Sequence, residues 1–297
     1  MLMTSVAYSS GRRTFLLGII GILTLSVGCT NLEAVRSFAK LSASVANYQQ
    51  VVSDYAESPI RQLRYQPDNQ DSRLAAIADR RAEQKKQFIA VQTVIVNYMD
   101  SLGDLAGDEV ATLDADIDNL TAALEKAKFV GDSDKQIGNE TATAAATIAK
   151  QLSYAILNEW RKSKVKHLIR ENDAAFQNVI TGFTEILDKD VRDSFKNETI
   201  AVKKRFGSWK TAATAAGDPD GAPPIADIFM GERVATLKDK EAQLDAYILS
   251  LRTIKDGHHS LYLNADKLDK EELVAEIKKY TKDIQTLKKT IIQLATR

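Results

Sequence analysis

Acidic residues in the segment 114–125, DADIDNLTAALE, have the spacing of a calcium-binding loop. They occupy positions 1, 3, 5 and 12 of a twelve-residue loop, where carboxylate oxygens bind Ca²⁺. Two other positions do not fit, because Asn119 stands where the sharp turn needs glycine and Thr121 stands where an apolar side chain belongs. Ile117 and Leu120 also continue a helical pattern that a loop would break. We therefore predict an acidic helix face here, with no bound metal.

The three histidines, His167, His258 and His259, are the other candidate metal ligands. None of them has a glutamate three residues earlier, so the Glu-x-x-His ligands of a di-metal helical bundle are missing from the sequence. His258 and His259 lie in KDGHHS (255–260), which predicts a turn with the two side chains pointing in different directions. The sequence therefore predicts an exposed loop at this pair, no metal site and no cofactor.

Motifs for nucleophilic catalysis and phosphate binding are missing from the sequence. It contains no G-x-S-x-G and no glycine-rich phosphate-binding loop. The only cysteine is Cys29, and catalysis by this thiol is excluded if the thiol is acylated. We predict no catalytic residues; the alternative is an enzyme whose carboxylates converge only in the folded chain.

Cys29 follows the only strongly apolar stretch of the chain, which runs from Phe15 to Val27 after the charges of Arg12 and Arg13. A membrane-spanning helix needs about 20 apolar residues, so this shorter run predicts a cleaved signal peptide. A lone thiol cannot form an internal disulfide, and exported proteins rarely leave a thiol free. A covalent modification of Cys29 would explain why an exported chain has a single cysteine that cannot form an internal disulfide.

Residues 25–29, LSVGC, resemble the lipobox of bacterial lipoproteins, in which a short run of apolar and small residues precedes an acylated cysteine. Ser26 stands where that family more often has leucine. The resemblance implies that residues 1–28 are removed and that Cys29 becomes a lipidated N-terminus attached to a membrane. Thr30 replaces the aspartate that signals retention at the inner membrane, which implies the outer membrane, facing the periplasm. The alternative is an incidental cysteine behind an ordinary secretory signal.

Residues 10–17, SGRRTFLL, resemble the twin-arginine export signal in the paired arginines and in the Phe-Leu pair that follows. Gly11 and Leu17 replace the serine or threonine and the lysine that are usual there. The resemblance implies folding before export, and an ordinary signal with two arginines is the alternative.

The charge of the mature chain argues against nucleic acid as a partner. The 40 basic residues include Arg12 and Arg13, so removal of residues 1–28 leaves 38 basic and 40 acidic side chains. One dense basic run remains, WRKSKVKHLIR (160–170), with Trp160 at its head as a candidate contact for anionic lipid or an acidic partner. Its cations spread around a helix, which predicts a solvated face instead.

Apolar residues recur three and four positions apart through most of the chain, and no stretch alternates as a strand would. The fold class is therefore predicted to be all-α, an elongated antiparallel helical bundle with coiled-coil-like packing. One helix is predicted from Asp71 to about Leu105.

Polar residues at seam positions, Arg81, Gln84 and Glu241, are predicted to set the register between helices. The clearest stripes are Leu273, Ile277, Tyr280, Ile284, Leu287, Ile291 and Leu294; Val110, Leu113, Ile117, Leu120, Leu124 and Ala127; and, less regular, Val35, Phe38, Ser42, Val45, Gln49 and Val52.

Prolines and glycines divide the chain. Three of the five prolines lie in AAGDPDGAPP (215–224), which predicts an exposed connection. The predicted organisation is a removed signal peptide at 1–28, a long helical bundle at 29–218, a Pro/Gly loop at 219–224, and a C-terminal helical hairpin at 225–297 that packs on the bundle.

These features favour a lipid-anchored, non-catalytic protein-interaction module of the bacterial cell envelope, whose partner is another envelope protein. One alternative is an immunity or exclusion lipoprotein that neutralises a periplasmic toxin or a phage component. A second is a structural envelope spacer, which resembles Braun's lipoprotein in its acylated N-terminus and terminal heptad helix. Arg297 stands where that family has its wall-linked lysine.

Overall fold

The protein is all-α, as the spacing of its apolar residues predicts. The computed structural model describes residues 32–66, 72–110, 139–158, 160, 162–218 and 220–296, which belong to one compact unit, and within these ranges no strand is present. The described helices are α1 (Glu33–Ala46), α2 (Gln50–Leu63), α3 (Ser72–Ala106), α4 (Asn139–Leu157), α5 (Val165–Ile186), α6 (Arg192–Ala215), α7 (Ala222–Leu263) and α8 (Glu271–Ala295). A 3₁₀ turn at Lys162–Lys164 precedes α5, and a π-helical segment at Leu187–Val191 joins α5 to α6.

The helix predicted to begin at Asp71 and the C-terminal heptad helix both form. The helix predicted from Asp71 to Leu105 is α3, which spans 35 residues. Its seam is buried from Phe88 to Leu105. On α8 the buried residues are Leu273, Ile277, Ile284 and Ile291, every one a predicted seam position. Burial of one apolar stripe per helix therefore positions these helices in the bundle.

The predicted stripe from Val35 to Val52 does not form one helix, because the chain breaks between α1 and α2 at residues 47–49. The break leaves carbonyl groups without helical partners, and buried side chains from other helices satisfy two of them. The amide of Gln92 donates to the carbonyl of Tyr48 at 3.1 Å, and the Tyr247 hydroxyl donates to the carbonyl of Ala46 at 2.9 Å. Gln92 also donates to the Tyr247 hydroxyl at 2.7 Å, which links α3 to α7.

The Pro/Gly connection is shorter than the predicted loop at 219–224, because α7 already begins at Ala222. Proline is tolerated in the first turn of a helix, where its missing N–H would have no partner, and Pro223 and Pro224 occupy that turn. Asp218 accepts hydrogen bonds from the N–H groups of Gly221 and Ala222 at 2.9 and 3.1 Å. This aspartate thereby starts the helix at the point where the prolines favour it.

The turn predicted at 255–260 is wrong, because the whole segment lies inside α7. Gly257 does not bend the chain there. A β-carbon at this position would lie 2.6 Å from two ring atoms of Phe38, so glycine permits close contact between α7 and α1. The sequence pattern predicts a turn because a glycine needed for close helix packing has the same signature in sequence as a glycine in a turn.

Helices α1, α7 and α8 define the ends of the bundle. Ala46 contacts Tyr247 and Phe38 contacts Gly257, so α1 runs antiparallel to α7 and begins near the C-terminal end of α7. Helix α8 returns along α7 and packs on α1 as well. Its last residues, Leu294 and Ala295, lie beside Thr236 and Asp239 of α7. None of the described helices is long and apolar enough to cross a membrane.

Candidate functional site

A buried polar cluster joins α3, α5 and α7 at the histidines that were predicted to be exposed. The Tyr98 hydroxyl lies 2.6 Å from Nε2 of His258, and Nδ1 of His258 lies 2.9 Å from Oδ1 of Asp173. The second carboxylate oxygen of Asp173 lies 2.9 Å from Nδ1 of His259. His258 and Tyr98 are fully buried, whereas the side chain of His259 is about half exposed. The prediction of an exposed loop at this pair is therefore wrong for His258.

The protonation states of this cluster follow from burial. Desolvation lowers the pKa of His258 despite the nearby carboxylate, so the imidazole is neutral at pH 7. Burial opposes ionisation of Asp173, but hydrogen bonds from His258 and His259 outweigh it and lower the pKa of the carboxyl. His258 therefore donates from Nδ1 to Asp173 and accepts the Tyr98 hydroxyl at Nε2. Burial also raises the pKa of Tyr98 well above its ordinary value, so the hydroxyl remains protonated.

The order hydroxyl, imidazole, carboxylate in the Tyr98–His258–Asp173 cluster resembles that of a hydrolytic triad. The hydroxyl end of the cluster, however, is closed to solvent. A nucleophile must reach a substrate, and neither Tyr98 nor His258 has exposed surface. A protonated tyrosine hydroxyl is also a poor nucleophile. The cluster is suited to holding three helices in register, because each buried polar atom in the Tyr98–His258–Asp173 chain has a partner.

Acid should weaken the fold through His258. Its pKa is 6.5 when unfolded and lower when folded, so the unfolded chain binds the proton more tightly and stability falls as the pH drops below 6.5. Asp173 acts in the same direction, but only near and below its ordinary value of 3.8. In urea titrations at pH 7.5 and 5.5, we expect a smaller loss of stability for His258→Gln than for the wild type. The exposed control His167→Gln should keep the wild-type pH dependence, and an unchanged dependence in His258→Gln contradicts the assignment.

A second buried polar network joins α2, α3 and α6. Arg61 donates to both carboxylate oxygens of Glu198 at 2.8 and 2.9 Å, and Ser58 donates to the same carboxylate at 2.9 Å. Arg81 donates to the Ser194 hydroxyl at 2.7 Å and lies over the ring of Tyr55. These bonds are consistent with a register-setting role for this seam arginine.

Gln84, the next polar seam residue of α3, also bonds to α2. It accepts a hydrogen bond from the Tyr55 hydroxyl at 2.9 Å. Both polar seam residues of α3 therefore contact other helices, and Arg81 also lines an open pocket between α2, α3 and α6.

The basic run at 160–170 is divided between buried and exposed surroundings. Trp160 is buried and packs edge-to-face on Tyr154 and His167, so it is not an exposed contact for lipid. Lys166 and Arg170 both pair with Asp266, which follows α7. These two cations therefore share one carboxylate of the protein itself.

The least buried part of the described chain is a helical hairpin, residues 203–236, which we call the α6–α7 arm. Among its described residues only Ala226 is buried. Lys210 of α6 forms an ion pair with Asp227 of α7 at 2.7 Å and so ties the two helices together. A ring contact between Phe206 and Tyr65, two residues after the end of α2, connects the arm to the bundle, and Phe206 also contacts Trp209 within the arm. The arm is thus held to the bundle but leaves much of its surface open.

Exposed apolar side chains cluster on α7 within this arm. Ile225, Ile228 and Phe229 are 47%, 61% and 46% exposed, and Trp209 of α6 is 41% exposed. Isolated exposed apolar residues are ordinary, whereas several together mark an interaction surface. Sequence reasoning missed this group, because its three α7 residues belong to none of the apolar stripes that the sequence predicts. The only signal was three large apolar residues within five positions after a proline pair.

The predicted features that lie outside the described residues are the export signals at 1–28, the lipidation site Cys29, the acidic segment 114–125 and the apolar stripe from Leu113 to Ala127. Within the ranges that the structure describes, no group of three histidine, cysteine or acidic side chains is arranged to hold a metal ion. Among the described residues, open surfaces with a distinctive chemical character include the α6–α7 arm and a pocket of about 370 Å³ whose lining includes Arg73, Arg81 and Lys204. Compared with family models, with curated proteins and with solved structures, the chain matches none.

Proposed function

We propose that the protein is a lipid-anchored, non-catalytic protein-interaction module of the bacterial cell envelope. The proposal joins the signal at residues 1–29 to the apolar surface of the α6–α7 arm. Lipid on Cys29 would attach the chain to the outer membrane on the periplasmic side, and the arm would contact another envelope protein. The closed Tyr98–His258–Asp173 cluster supports a structural rather than a catalytic use of the most enzyme-like residues.

The single observation that carries the proposal is the position of the arm along α7. The first described residue, Leu32, adjoins α1, which begins near the C-terminal end of α7. Phe229 lies 34 residues before Leu263, the last residue of α7. At 1.5 Å per residue the apolar group is about 50 Å along the helix from that end. The arm is therefore far from the residue where the described chain begins, and its exposed apolar side chains are accessible to a partner.

Removal of the acylated thiol should release the protein. Cys29→Ser leaves no atom for lipid attachment, and one buried methylene contributes about 0.8 kcal/mol to membrane binding, so loss of whole acyl chains abolishes it. After cell lysis and ultracentrifugation, we expect wild type in the membrane pellet and Cys29→Ser in the supernatant or as unprocessed precursor. Thr30→Ser, one residue away, should remain in the pellet. Sedimentation of a processed Cys29→Ser chain with membranes would refute the anchor.

The arm should be required for partner binding and dispensable for folding. Ile228→Ser with Phe229→Ser removes two side chains that are about half exposed, so we expect wild-type circular dichroism and loss of the crosslinked product in intact cells. The matched control is Leu249→Ser with Ile292→Ser, which removes two apolar side chains that are each 52% exposed outside the arm. Equal crosslinking by both double variants would contradict the proposal.

A further inference from the structure

The pocket between α2, α3 and α6 has a volume of about 370 Å³. Its lining residues on α6 are Asn197, Ile200, Ala201 and Lys204, and their spacing of three and four positions places them on one face of that helix. Small-molecule sites in proteins have volumes of about 300–1,000 Å³. The pocket therefore has room for one small ligand.

Part of the lining is apolar and open to the pocket. Leu74 of α3 is 5% exposed and buried at the base, Ile77 is half-buried, and Ile200 of α6 is 62% exposed at the rim. An apolar group placed between Ile77 and Ile200 would remove surface from water that the bundle leaves exposed, which is favourable. The lining can therefore hold the apolar part of a ligand.

The charged residues of the lining are all basic. They are Arg73 and Arg81 of α3 and Lys204 of α6, and no described aspartate or glutamate lines the pocket. Arg81 is held in place by its hydrogen bond to Ser194. Lys204 is exposed and forms no ion pair with any described residue, so its ammonium group can turn towards a ligand. An anionic group in the pocket would therefore meet cations on two of its walls.

The acidic residues of α6 closest to this face already have partners. Glu198 accepts hydrogen bonds from Arg61, and Asp193 pairs with Lys196 at 3.5 Å. Residues 199–217 contain four basic and no acidic side chains. The surroundings of the pocket on α6 are therefore positive, and charge selects an anion over a cation or a neutral ligand.

We propose that this pocket binds an amphiphilic organic anion, with a phosphate or carboxylate group joined to an apolar group. The anionic group contacts Lys204 and Arg73, because both are exposed at the rim. The apolar group lies against Ile77 and Ile200. The inference goes beyond the proposed function, since it requires neither the lipid anchor nor the apolar residues of the arm.

The test measures binding of octyl phosphate to the full-length protein in a neutral detergent by isothermal titration calorimetry. Inorganic phosphate carries the anionic group alone, and octanol carries the apolar chain alone. We expect saturable binding of one octyl phosphate per chain and at least tenfold weaker binding of the other two probes. Each probe is also titrated into the detergent without protein, and that heat is subtracted.

Matched charge variants locate the anionic group. Lys204→Glu should weaken octyl phosphate binding about tenfold, because it removes a hydrogen bond between opposite charges. The control is Lys203→Glu, since Lys203 is the adjacent residue, is also exposed and does not line the pocket. Salt screens its charge at a distance, so binding should change less than about twofold. Circular dichroism checks that both variants are folded.

Matched apolar variants locate the chain of the ligand. Ile200→Ser should weaken octyl phosphate binding about fivefold, because it removes apolar contact. Ile292→Ser, which alters a side chain that is 52% exposed elsewhere, should leave binding unchanged.

Mass spectrometry of solvent extracts from the purified protein identifies the natural source of the ligand. A fatty acid or lysophospholipid that the wild type retains and Lys204→Glu loses indicates a ligand taken from the membrane. A short organic acid that is lost in the same way indicates a soluble ligand. Either result supports the inference.

Other outcomes overturn it. Absence of saturable binding does so, as expected if the cations are occupied by carboxylates such as Asp68 and Asp71, which lie outside the described residues. Equal effects of Lys203→Glu and Lys204→Glu, or binding of inorganic phosphate or octanol as tight as that of octyl phosphate, also contradict the pocket. The arm variant Ile228→Ser with Phe229→Ser should bind octyl phosphate like the wild type, and loss of binding there would place the ligand on the arm. Absence of binding in these titrations leaves the proposed interaction function standing.

Discussion

Replacing Glu198 with glutamine should lower the free energy of unfolding by about 2 kcal/mol, because it removes a charge-assisted hydrogen bond to the Arg61 guanidinium, while the carboxylates of Asp54 and Glu57 remain within 4 Å of it. Glu198 is 3% exposed and accepts both hydrogen bonds of the Arg61 guanidinium. Glutamine keeps the shape and can still accept from Ser58, but its NH2 group replaces one acceptor oxygen, so the change removes the charge together with one hydrogen bond from Arg61. Urea unfolding followed by circular dichroism measures the loss.

A matched control exists at Glu57, which pairs with the same arginine. Its carboxylate lies 3.7 Å from Arg61 and its side chain is 62% exposed. Exposed ion pairs contribute about 0–1 kcal/mol, so Glu57→Gln should change stability by less than about 1 kcal/mol. The two variants remove the same charge beside the same arginine and differ in burial and in hydrogen bonding to it. Similar losses in both would show that burial of the pair does not determine its contribution.

Local periodicity explains what the sequence could predict of the fold. Heptads on α3 and α8 report which side of a helix is buried, and that information is contained in a few consecutive turns. Breaks are harder to predict, since the stripe from Val35 to Val52 continues through the gap between α1 and α2. The gap is stabilised by Gln92 and Tyr247, which are distant in sequence. No local pattern could have identified these partners.

The same limit applies to the candidate site. Whether Phe229 is covered depends on which helices pack against the start of α7, which is a property of the packed bundle. Burial of His258 likewise depends on Tyr98 and Asp173, which lie on other helices. The anchor at Cys29 could be proposed from sequence because its recognition depends on consecutive residues alone.

Gly257→Ala should destabilise the protein by about 1–3 kcal/mol, the range typical of overpacking in a close-packed core. The added β-carbon would lie 2.6 Å from Cε2 and Cζ of Phe38 and 3.3 Å from Cγ of Tyr280. Phe38 is fully buried, so its ring cannot move aside without disturbing other core contacts. The midpoint of thermal or urea unfolding measures the effect.

Gly231→Ala is the matched control, because the same substitution is expected to change the stability in the opposite direction. Gly231 lies in the same helix, and a β-carbon there would meet no atom within 4 Å. Alanine is favoured over glycine in a helix interior by about 0.5–1 kcal/mol, so this variant should be more stable than the wild type. Opposite shifts for one substitution in one helix would assign the cost at Gly257 to its contact with α1. A stabilised Gly257→Ala would mean instead that α1 and α7 can separate enough to admit the methyl group, and that the glycine does not set their distance.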